Sequence, residues 1–110
     1  MNIMDMLEKL GYVPWFPTTR LTARAVELYA DDTDSNSVWS RLGDEEQMPM
    51  ENLMWCIKVH FAKQYIKCHG YSPLWNKVIS HLRTKSVGTS TPTEIILALY
   101  HTYKEVKDEN

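Results

Sequence analysis

The chain has 110 residues, 44% of them hydrophobic and 24% charged, enough apolar matter for one buried core and too much for a disordered chain. Its formal charge of −2 conceals a polarised sequence: residues 1–51 hold four bases against ten acids, residues 52–93 six bases and no acid, and residues 94–110 two bases against four acids. No segment approaches the roughly 18 uncharged apolar residues that a membrane span needs, and Met1–Leu10, with Asp5, Glu8 and no basic leader, does not read as a secretory signal.

Helix punctuation recurs along the chain and strand alternation does not, so the expected fold is all-α, a single domain over 1–110 of about five or six helices. Ile3, Met6, Leu7 and Leu10 make a short apolar stripe that stops at Gly11. The two prolines of Tyr12-Val13-Pro14-Trp15-Phe16-Pro17 predict an extended segment ending at Thr18 or Thr19, either of which can cap a second helix along Leu21, Ala25, Leu28 and Tyr29. After the polar break Asp31–Asp34, the residues Val38, Trp39 and Leu42 predict a short third helix closed by Gly43. A long fourth helix is expected from about Pro49 to His69, ended by Gly70 and placed at the centre of the domain. The turn Gly70-Tyr71-Ser72 then leads into a fifth helix over 73–86, packed back on the fourth as a hairpin. Thr91-Pro92-Thr93-Glu94 is a capping box that opens a sixth helix along Ile95, Ile96, Leu99, Tyr103 and Val106.

The fourth helix is apolar in two directions. On a wheel at 100° per residue, Met50, Leu53, Met54, Ile57, Phe61, Tyr65 and Cys68 share one side, and Trp55, Val59, Ala62 and Ile66 share the opposite one. Such a helix is either enclosed on both sides by its own domain or contributes one side to an interface, including one with a second copy of the chain. The Trp15-Phe16 pair, stiffened by flanking prolines, presents the same choice between a lid on the protein's own core and an anchor for a partner.

The acid-free basic stretch offers a second candidate surface. A helix pair over 52–86 would present Lys77, His81, Arg83 and Lys85 to nucleic acid or another phosphate-rich anion, or merely to solvent. Catalytic and metal chemistry finds little footing. Cys56, His60, Cys68 and His69 do not converge on one side of a helix, as zinc would require, and the histidines are expected at the surface. A Cys56–His60 nucleophile pair has no carboxylate anywhere in 52–93 to orient it. The two cysteines, about 18 Å apart along one helix, are too distant to form a disulfide and fit a reducing cytoplasmic compartment. The sequence therefore predicts a non-enzymatic intracellular interaction protein, of inhibitor or adaptor type, without cofactor or metal. Its expected partner is another protein, met through Trp15, Phe16, Met54, Trp55, Lys63 and Lys67.

Overall fold

Most helix ends fall at the punctuation just described, and the exceptions have local causes. A computed structural model describes residues 1–70 and 72–108; Tyr71, in the predicted turn, lies outside them. The described residues form six helices and no strand: α1 (Ile3–Lys9), α2 (Pro17–Asp31), α3 (Ser35–Glu46), α4 (Met50–Cys68), α5 (Pro73–Ser80) and α6 (Pro92–Asp108). No helix among them is long and apolar enough to cross a membrane.

Gly11 stands at φ +91° and closes α1 as a Schellman motif, with the Tyr12 N–H on the Leu7 carbonyl at 2.9 Å and its own N–H on Glu8 at 2.9 Å. A Cβ at this position would lie 2.5 Å from the Cys68 sulfur, so space as well as backbone conformation demands glycine. The start of α2 differs from expectation. The helix begins at Pro17 with Phe16 as N-cap, because a proline at the first position forfeits no helical hydrogen bond. Thr18 and Thr19 consequently lie inside the helix, where their hydroxyls are free for other work.

Gly43 does not end α3. The helix runs to Glu46 and closes at Gln47 in the left-handed conformation, with Gln47 N–H on Asp44 at 3.3 Å and Met48 N–H on Gly43 at 3.0 Å. Glycine at 43 permits the returning chain to approach closely, since a Cβ there would stand 3.0 Å from the Met48 carbonyl oxygen. The fifth helix stops at Ser80, well before residue 86. Beyond it Leu82 and Lys85 bond three residues back instead of four, and the hydroxyls of Thr84, Thr89 and Ser90 bond within the segment. Such side chains compete with the helical ladder for backbone groups. At the predicted capping box of α6 the Thr91 cap is made, with the Glu94 N–H on Thr91 Oγ1 at 3.2 Å, and the Glu94 carboxylate accepts from the Thr91 hydroxyl at 3.2 Å.

One core joins all six helices. The most enclosed of them is α2, which packs against α1, α3, α4 and α6 and buries Leu21, Ala25, Val26, Leu28 and Tyr29. The longer α4, expected at the centre, packs on α2, α3 and α6 with one side only. Trp75 of α5 ties three elements together. Its ring meets Phe61 and Tyr65 of α4 edge-on at 4.8 and 5.9 Å, and its Nε1–H donates to the Leu10 carbonyl at the end of α1 at 2.7 Å. The Cys68 thiol donates to that same carbonyl at 2.7 Å, so one oxygen that a helix end would leave orphaned is satisfied twice.

Candidate interaction face

The two apolar directions of α4 have different fates. Leu53, Ile57 and Phe61 are buried and Met54 packs with them against the core, whereas Trp55 is 67% exposed and Ile66 77% exposed. Val59 and Ala62, between these two on the same side, are half-buried. At about 1.5 Å per residue the Trp55–Val59–Ala62–Ile66 ridge is roughly 16 Å long. It is straight because it belongs to a single uninterrupted helix. Met54, grouped with Trp55 as a contact residue from sequence, belongs instead to the core side of the helix.

Beside the ridge lies the Pro14–Pro17 segment, and a buried histidine holds it there. His60, expected at the surface, is 6% exposed. Its ring is stacked by Phe16 at 5.7 Å with planes 6° apart and met edge-on by Tyr12 at 4.7 Å, and its Nε2 bonds the Thr19 hydroxyl at 3.1 Å. Burial, assisted by the nearby Lys63 charge, lowers the affinity of His60 for a proton. With Phe16 pinned through one face of its ring, Trp15 projects into solvent at 83% exposure. Phe16 thus covers His60, while Trp15 of the same pair stands exposed. Between the segment and α4 opens a groove of about 270 Å³, lined by Val13, Phe16, Thr18, Trp55, Val59 and Gln64 among others. Two of its polar atoms, Thr18 Oγ1 and Gln64 Oε1, are buried without a hydrogen-bond partner.

A second groove of about 270 Å³ follows the other side of the ridge, between Ala62, Tyr65 and Ile66 of α4 and the turn Lys85–Gly88. Lysines border the whole face. Lys63 and Lys67 are exposed along one edge of α4, Lys58 is half-buried on the other, and Lys85 stands on the second groove. Glu51, in the first turn, is the only carboxylate of α4.

The residues expected to bind an anion have neighbours of their own. Lys77 lines a separate cleft with Met1 and Lys9, His81 Nε2 lies 2.7 Å from a Glu105 carboxylate oxygen, and the Lys85 ammonium bonds the Ser80 carbonyl. Arg83 is exposed on the turn after α5. Cys56 and His60 line one groove, but the histidine's bond is to Thr19 and no acid orients the pair. Among the described residues no group of three or more His, Cys, Asp or Glu side chains is placed to hold a metal ion. Sequence reasoning weighed His60 only as a surface ligand or half of a nucleophile pair; its position on an edge of α4 carried no sign that Tyr12 and Phe16 fold over it. Set against known proteins, the chain matches no family, no curated protein and no solved structure.

Proposed function

We propose that this chain is a non-enzymatic interaction protein, an inhibitor or adaptor, that recognises another protein through the exposed side of α4 and the adjoining Trp15-Phe16 segment. The observation that carries the reading is the ordered display of Trp15, Phe16, Trp55 and Ile66, each at least half exposed, on a helical frame with its own buried core. Covering a large apolar side chain contributes roughly 1.5–3 kcal/mol, so a partner that enclosed several of these would gain much of the free energy of a stable complex. Rigid aromatic anchors flanked by cations are also the composition typical of binding hot spots. Two free thiols on α4, Cys56 and Cys68, suit an intracellular setting.

The test is photo-crosslinking in the native extract with a reactive side chain placed at position 66, and in parallel at Asn36, exposed on α3. A discrete adduct from position 66 alone, abolished by Trp55→Asp in the same chain, is the expected result. Equal adducts from both positions, or adducts indifferent to Trp55→Asp, would remove the assignment. Polyanion binding through 52–86 draws less support, because His81 lies against Glu105 and the Lys85 ammonium bonds the Ser80 carbonyl.

A further inference from the structure

The occupant of this face can be narrowed by its shape and charge. A straight ridge roughly 16 Å long, with a groove on either side, fits a single partner helix of about three to four turns, whose side chains at i, i+3, i+4 and i+7 straddle the ridge and enter the grooves. Around the ridge stand Lys58, Lys63 and Lys67, none of them paired with a carboxylate among the described residues. A partner helix with neutral or basic flanks would leave these ammonium groups facing nothing or facing their like. One with Glu or Asp on its flanks would meet each with an opposite charge at the rim, where such pairs steer association and select partners.

Charge also argues against a second copy of this chain as the occupant. A two-fold pairing of α4 with itself in antiparallel sense lays the Lys63–Lys67 edge of one copy along the same edge of the other, and a parallel pairing lays it along the Lys58 edge. In both arrangements lysine opposes lysine, with Glu51 the only relief. We infer that the α4 ridge is the receptor for an acidic amphipathic helix of a partner protein, seated across the ridge with an aromatic anchor in the groove of Phe16 and Trp55. This inference rests on the interaction reading above and adds the chemistry of the partner to it.

The experiment is selection from a displayed library of random 18-residue helical peptides, panned on the intact protein with parallel panning on Trp55→Asp and on Lys63→Glu/Lys67→Glu, both variants checked for native helicity by circular dichroism. The expected pool is net acidic on both flanks of an apolar stripe, carries Trp or Tyr at one stripe position, and binds the double lysine variant at least about tenfold more weakly and Trp55→Asp not at all. Peptides that need Trp55 but show no acidic bias, or that bind Lys63→Glu/Lys67→Glu equally well, would overturn the acidic helix while leaving the docking face intact. A pool indifferent to Trp55→Asp, or no enrichment at all, would overturn both. Light scattering adds a further outcome: a dimer dispersed by Trp55→Asp would assign the face to a second copy and end the inference.

Discussion

Gln47 holds the left-handed conformation at φ +53° that closes α3, where a side chain with a Cβ is disfavoured and glycine is not. Gln47→Gly is therefore expected to stabilise the fold by about 0.5 kcal/mol, measured as a higher urea midpoint with an unchanged slope. Gly11 stands in the opposite position: its left-handed backbone and the 2.5 Å approach to Cys68 predict that Gly11→Ala costs about 1–3 kcal/mol. His60 gives a prediction in pH. Its proton affinity is lowered in the folded protein by burial and by Lys63, so the unfolded chain takes up the proton first, near the ordinary histidine value of about 6.5. Its contribution to stability is full above that pH and is lost as pH falls from there through the lower folded value. Thermal melts between neutral and mildly acidic pH should show this loss in the native chain and a smaller one in His60→Gln.

At the scale of elements, α4 has one buried side and one exposed side. Phe61→Ala, on the buried side, should cost about 3–5 kcal/mol, whereas Trp55→Ala on the exposed side should change stability by no more than about 0.5 kcal/mol. Chemical denaturation of the two variants checks this directly, and similar losses for both would mean that the Trp55 side is covered within the protein itself. The two apolar directions of α4 were legible from the sequence, but which of them the domain covers was not. Periodicity reports that a face is apolar and is silent about whether a neighbour lies on it. The early end of α5 was similarly hidden, since the Ser and Thr residues of 84–90 act through hydrogen bonds within their own turn and leave no periodic trace.

Across the whole molecule, charge and topology act together. Arg20 pairs with Glu46 and Arg24 with Glu45, joining α2 to the end of α3, so part of the acidic charge of the first half is balanced within that half. The lysines of α4 have no such local balance. The chain should consequently run as a 12.9 kDa monomer in light scattering over micromolar concentrations at low salt, because pairing through α4 would oppose like charges. A dimer that appears already at low salt would contradict this account, and one that appears only at high salt would show screened lysines yielding to the apolar ridge.

Helix number, most helix ends, the capping box at α6 and the double apolar character of α4 were all written locally in the residues, because caps, glycines, prolines and periodicity act over a turn or two of chain. The choice of α2 as the enclosed helix, the burial of His60 beneath Phe16, the shared Leu10 carbonyl and the open side of α4 arise from contacts between residues tens of positions apart. Long-range packing alone decides which of several apolar faces is covered, since a core of this size has room for some of them and leaves the rest exposed.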